Sequence, residues 1–63
     1  MNLTVFVESE SYAVVETVYD AVLDYPEETV IHINSVAYRI TGRLVDQIHN
    51  GGIGRTYCVT THE

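Results

Sequence analysis

Glu16, Asp20 and Asp24 stand four residues apart, a spacing that keeps three carboxylates on one face of either a helix or a strand. Glu8, Glu10, Glu27 and Glu28 flank them. Two carboxylates do general acid and base chemistry when their environments differ around a cleft. Acids spaced evenly along one exposed face titrate alike, which argues against glycosidase-type chemistry. The same pattern suits a docking surface for a basic partner, including mimicry of a phosphate backbone, or a simply solvated face. Tyr12 and Tyr25 bracket the segment, and tyrosine joins apolar area to a polar tip at interfaces. Tyr12, Glu16, Asp20, Asp24 and Tyr25 are therefore the candidate partner-binding residues.

The remaining reactive side chains form weaker constellations. Cys58-x-x-x-His62 is half of a zinc motif without its second pair, although His32 and His49 could approach it in a folded sheet. A Cys58–His nucleophilic pair would also need an oxyanion hole and a cleft that a domain this small rarely holds. The glycines of Asn50-Gly51-Gly52-Ile53-Gly54 lack the Lys-Ser/Thr of a phosphate loop and read as a flexible hairpin connection. Arg39, Arg43 and Arg55 read as cross-strand partners of acids. No catalytic residue, cofactor or metal is implied, and the reading is of a protein that is not an enzyme.

Charge limits the partners. Nine acids face three arginines and no lysine, a net charge of −6, so nucleic acid and anionic lipid should repel the chain. A charge of this size is also ordinary for keeping a small domain soluble. Sixty-three residues make one domain, 1–63, whose core is marginal enough that dimerisation or docking would add stability. The lone Cys58 fits a reducing compartment. Met1-Asn2-Leu3-Thr4 lacks a signal-peptide pattern, and no apolar run reaches the ~18 residues of a membrane span. These readings place the chain in a cytoplasm.

Positioning these residues requires strands. Leu3, Val5 and Val7 alternate with Thr4, Phe6 and Glu8, a short strand with one core face. Thr29 to Ile33 reads as a strand, Asn34-Ser35 as a turn, and Val36 to Ile48 as a long second strand. Val36, Tyr38, Ile40, Leu44 and Ile48 would share one face of it, with a bulge or bend at Gly42. Arg55 to Thr61 is a last strand with Tyr57 and Val59 inward.

Residues 12–25 fit two periods. As a helix, Val14, Val15, Val18, Val22 and Tyr25 make an apolar stripe and Ser11 a reasonable N-cap. As a strand, Ala13, Val15, Thr17, Tyr19, Ala21, Leu23 and Tyr25 face inward, while Tyr12, Val14, Val18 and Val22 accompany the acids outward. Asp20 and Asp24 would oppose a helix dipole at its C-terminal end, and Val, Thr and Tyr suit strands. The strand is the favoured reading.

Pro26, Thr29-Val30, Ile33-Asn34 and Tyr38-Arg39-Ile40 together resemble a pattern in many short phage-encoded proteins. Its common form is a proline, a strand ending Ile-Asp/Asn-Gly, and a second strand opening Tyr-Arg-Val. Ser35 stands where glycine is usual. The resemblance covers about a third of the chain and implies a strand before the proline and a small-barrel-like domain. It carries no catalytic residues. The expected fold is thus all-β, a five-stranded antiparallel sheet or barrel with a C-terminal hairpin. The alternative is α+β, with a helix at about 12–24 on a four-stranded sheet. The expected function is a non-catalytic protein-interaction module, phage-encoded and of inhibitor or host-takeover type, docking through the acidic face. The alternative is a structural or accessory virion component held by lattice or oligomer contacts.

Overall fold

The computed structural model describes residues 1–62, His49 by its backbone alone. Six strands form one sheet: β1 (Leu3–Glu8), β2 (Val14–Tyr19), β3 (Val30–Ile33), β4 (Val36–Arg43), β5 (Gln47–His49) and β6 (Gly52–Thr61). Their order is β2-β1-β6-β4-β3, with β5 also on β6. The sheet curls into a half-barrel. The all-β reading holds, and the helix at 12–24 does not form. The sheet is mixed, because β1 runs parallel to β6 while every other pairing is antiparallel.

Two hairpins turn on residues in the left-handed region. Asn34 and Ser35 have φ of 51° and 67° between the paired residues Ile33 and Val36. Asn50 and Gly51 have φ of 47° and 79° between His49 and Gly52. Two consecutive positive φ values define the turn whose twist matches that of paired strands. The five-residue glycine stretch is therefore a two-residue turn followed by strand. Gly52 is buried there, and a Cβ on it would collide with the Met1 backbone. The Asn2 side-chain oxygen accepts the Ile53 N–H at 2.9 Å, tying the N-terminus to this hairpin.

Two bulges decide which side chains face inward. Phe6 pairs with Glu16 but Val7 with Val14, leaving Val15 as the extra residue. Ile40 pairs with Val59 but Gly42 with Cys58, leaving Thr41 extra, which realises the irregularity marked by Gly42. A bulge shifts the alternation by one residue. Arg43 consequently pairs with Tyr57, and the chain leaves the sheet after it.

The core is Phe6, Ile33, Ile40, Tyr57 and Val59 on the concave side. Residues 20–29 cross this side as a strap, held largely by side chains. The fully buried Thr4 hydroxyl donates to the Ala21 carbonyl and accepts the Leu23 N–H, both at 2.9 Å. The equally buried Tyr57 hydroxyl donates to the Leu23 carbonyl at 2.9 Å and accepts the Tyr25 N–H at 2.8 Å. Beyond the strap's midpoint, Glu28 N–H donates to the Ile40 carbonyl and Ile40 N–H to the Thr29 carbonyl. Tyr25 meets Tyr57 edge-on with centroids 5.7 Å apart, and Phe6 stacks on Tyr57 at 5.7 Å. Such ring pairs add about 0.5–1.5 kcal/mol each beyond the area they bury.

Three assignments of side-chain direction change. The β1 core face is Thr4 and Phe6, and Leu3, Val5 and Val7 lie on the convex side. On β2 Val15 packs on the core as the strand reading has it, but beyond the bulge the sides are inverted. Glu16 pairs with Phe6 and Val18 with Thr4 on the concave side, whereas Thr17 and Tyr19 pair with Val5 and Leu3. The predicted strand from Val36 to Ile48 is two strands, and Leu44 and Ile48 are exposed. The break follows the bulge at Thr41, after which the chain leaves the sheet at Arg43; the first two changes have another common reason. A single curled sheet carries apolar side chains on both faces, so alternation gives the period but not the side.

Ser35 supplies a test of the first turn. A non-glycine residue in the left-handed region costs about 1–2 kcal/mol, against about 0.5–1 kcal/mol for ordering a glycine. Ser35→Gly should raise stability in urea by about 0.5–1 kcal/mol; a lower midpoint would contradict the turn. Tyr57→Phe strands the Tyr25 N–H and should cost about 1–3 kcal/mol. Amide exchange at Tyr25 should accelerate in that variant, and an unchanged rate would mean the hydroxyl does not hold the strap.

Candidate functional site

The five sequence-marked residues do not form one surface. Tyr12 is exposed in the β1–β2 connection, at φ 59°. Glu16 lies half-buried on the concave side, and its Oε1 accepts the Thr17 N–H at 2.8 Å. Asp20 is exposed at the strand end with φ 63°, its N–H donating to the Asn2 carbonyl. The helix or uniform strand that would align the acids is absent, because β2 stops at Tyr19 and the strap begins. Asp24 is on the strap, 3.7 Å from both Arg43 and Arg55. Tyr25 is half-buried against Phe6 and Tyr57.

Every arginine is engaged with an acid, but not across strands as the sequence reading has it: Asp24 and Glu28 lie on the strap and Asp46 between β4 and β5. Arg39 meets Glu28 at 3.0 Å. Arg55 forms a two-pronged pair with Asp46, Nε to Oδ1 at 3.0 Å and Nη2 to Oδ2 at 2.9 Å. Its Nη1 also donates to the Leu23 carbonyl at 3.1 Å, joining the strap to β6. The Arg55 hydrogen bonds hold the Asp46 carboxyl below its usual range and the guanidinium yet more firmly cationic. Glu8 is also lowered, chiefly by the Glu10 N–H it accepts at 2.8 Å, with Ser11 N–H and Ser9 Oγ assisting. Glu8 thus organises the β1–β2 connection.

Two concavities flank the strap, each about 270 Å³, and Tyr25 lines both. One lies against Asp24, Glu27 and Arg43, with Ile40 and Tyr57 beneath. The other opens between β2 and β3, with Glu16 and Val18 on one side and residues 31–34 on the other. Asp24 is committed to two guanidinium groups, so the first concavity holds paired charge. Cys58 is half-buried on β6, paired with Val7 and Gly42. Among the described residues no three of His, Cys, Asp or Glu gather as metal ligands. The His49 side chain, one of the histidines considered for such a site, lies outside the described residues.

The surface that sequence reasoning missed is the convex side. Val14, Thr17 and Tyr19 of β2, Leu3 and Val5 of β1, and Gly54, Thr56 and Cys58 of β6 share it by register, with Val14 and Tyr19 exposed, the rest half-buried, and Val7 beside them buried. None is charged. Beside them Leu3, Leu44, Val45 and Ile48 line an open groove of about 380 Å³. Val45 is 87% exposed and Ile48 81%. The available signal was the two-sided apolarity of β1, where Leu, Val and Val alternate with a Phe.

Acid should weaken the fold through Asp46 and Glu8. Both carboxyls are depressed below their ordinary values of 3.8 and 4.5. Their contribution is therefore complete above those values and is lost as pH falls through the lower folded ones. Urea midpoints should be level near neutrality and drop below pH ~4.5, and Asp46→Asn should flatten part of that drop. An identical acid profile in Asp46→Asn would remove the Arg55 pair from this role.

No family model, curated protein or solved structure matches the chain.

Proposed function

We propose that this protein is a non-catalytic protein-interaction module. The observation that supports the reading is the uncharged convex face of β2, β1 and β6 with the exposed Leu44, Val45 and Ile48 beside it. Isolated surface hydrophobics are ordinary, but contiguous apolar surface on a small monomer is the usual mark of an interaction site. The acids have a different part than direct contact. Engaged arginines leave Glu8, Glu10, Glu16, Asp20 and Glu27 uncompensated among the described residues, and that field would steer a basic partner toward the apolar face. An inhibitor or host-takeover role fits such a steered, binary contact. A second reading, an accessory virion component, draws on the same face, since an uncharged sheet surface also suits packing between copies.

The two readings differ in salt dependence. Steered docking weakens as salt rises, whereas apolar packing between copies does not. A photo-crosslinking residue at position 45, introduced in cells of the native source, should capture one dominant partner, and Val45→Asp with Ile48→Asp should abolish its binding without unfolding the domain. Salt-insensitive self-association in sedimentation, lost in the same double variant, would select the structural reading. A chain that crosslinks nothing and stays monomeric at all concentrations would remove both.

A further inference from the structure

The concave side carries a second opening that the proposed function does not use. β2 and β3 end the main strand order of the half-barrel, and one concavity is lined from both of them, so a single ligand can reach each edge. Its floor is Phe6, Leu23 and Tyr25, and its one acidic wall residue is Glu16. The backbone alternation tells which amides are open there. Asp20 N–H donates to the Asn2 carbonyl, so Val18 and Glu16 direct their backbone groups at β1, and Thr17 and Tyr19 direct theirs outward. On β3 the two-residue turn makes Ile33–Val36 a hydrogen-bonded pair, which leaves His32 and Val30 facing outward.

Glu16 joins the two features. Its carboxylate folds back onto the outward Thr17 N–H at 2.8 Å, where the carbonyl of an added strand would sit. No arginine or histidine among the described residues pairs with it. It is a half-buried carboxyl group at the edge of an incomplete barrel, sharing the opening with the apolar Phe6, Val18, Leu23 and Ile31 and with His32 and Asn34. The volume of about 270 Å³ falls below the usual range of cofactor pockets and suits two or three side chains.

We propose that the gap between β2 and β3 takes an extended peptide as an added strand, with a lysine or arginine opposite Glu16 and apolar side chains two residues to either side. Strand addition draws affinity from main-chain hydrogen bonds and specificity from alternate side chains, and Glu16 supplies the charge complement. The incoming carbonyl replaces Glu16 on the Thr17 N–H, and the released carboxylate turns to the peptide cation. This site is on the opposite face from the convex surface, so its failure leaves the proposed function standing.

The test is selection of a displayed nonapeptide library on the wild-type chain and on Glu16→Gln. Wild-type selections should converge on one basic position with β-branched or aromatic residues at ±2, and Glu16→Gln should erase the basic preference. The best peptide should bind Glu16→Gln at least about tenfold more weakly, a charge-assisted hydrogen bond being lost. Its norleucine analogue should bind both proteins alike. In solution spectra the peptide should shift the Thr17 and His32 amides together, and Val45→Asp should leave this unchanged. Selections that do not converge, a basic preference that survives in Glu16→Gln, or shifts at one edge alone would overturn the proposal. Saturation of the same shifts by n-butylamine would also overturn it, assigning the site to a small amine.

Discussion

Two buried hydroxyls hold the concave side of this sheet closed. A curled sheet of six short strands cannot cover its own inner face, and the described residues form no second sheet or helix to do so. The strap from 20 to 29 takes that place, yet much of it is irregular backbone whose amides a strand would normally satisfy. Thr4 and Tyr57 each offer one donor and one acceptor to it, and their own burial is tolerable only because both are used. The core, the aromatic trio and the two concavities all depend on this seating. A tyrosine on the central β6 is therefore both the floor of the core and the anchor of its lid.

Electrostatics reinforce the same seam. Arg55 is the most enclosed of the arginines, its side chain 17% exposed, and it touches the strap carbonyl of Leu23 as well as Asp24 and Asp46. Arg43 adds a second approach to Asp24 only because the bulge at Thr41 turns it toward the strap. Exposed ion pairs contribute little singly. Here the two-pronged pair with Asp46 and the bond to the Leu23 carbonyl meet at one side chain, so Arg55 ties the β4–β5 connection and the strap to β6 at once.

Much of the fold was legible in the residues. The strand at Leu3–Glu8, the Asn34-Ser35 turn, the irregularity at Gly42 and the inward Tyr57 and Val59 all follow from local pattern. Local pattern also favoured strand over helix for residues 14–19. It could not reveal the strap, because Leu23 and Tyr25 show the right apolar spacing for a strand but meet the core by lying across it. Nor could it reveal that β2 ends at Tyr19, which leaves Glu16 beside Phe6 on the strand, carries Asp20 and Asp24 off it, and undoes the single acidic face. Even charge spacing is blind to where a strand stops. The parallel β1–β6 pairing is likewise a long-range fact, joining the two ends of the chain with no local signature.

An open half-barrel has a problem that closed barrels avoid, since two edges and one uncharged face invite self-association. Several features here oppose it. β3 has four residues and β5 three, too short to template a long pairing. β2 is bent by its bulge, and the Glu16 carboxylate occupies an edge amide that another strand would seek. The surplus of acids adds long-range repulsion between copies. Charge in this chain therefore has two separable effects: it keeps like molecules apart, and it leaves the same edges and apolar face open to a partner of opposite charge. Replacing acids uniformly would confuse the two, because loss of steering and gain of aggregation arise together. Only changes placed at a defined edge or face separate them, which is why the position of Glu16 carries more information than the number of acids around it.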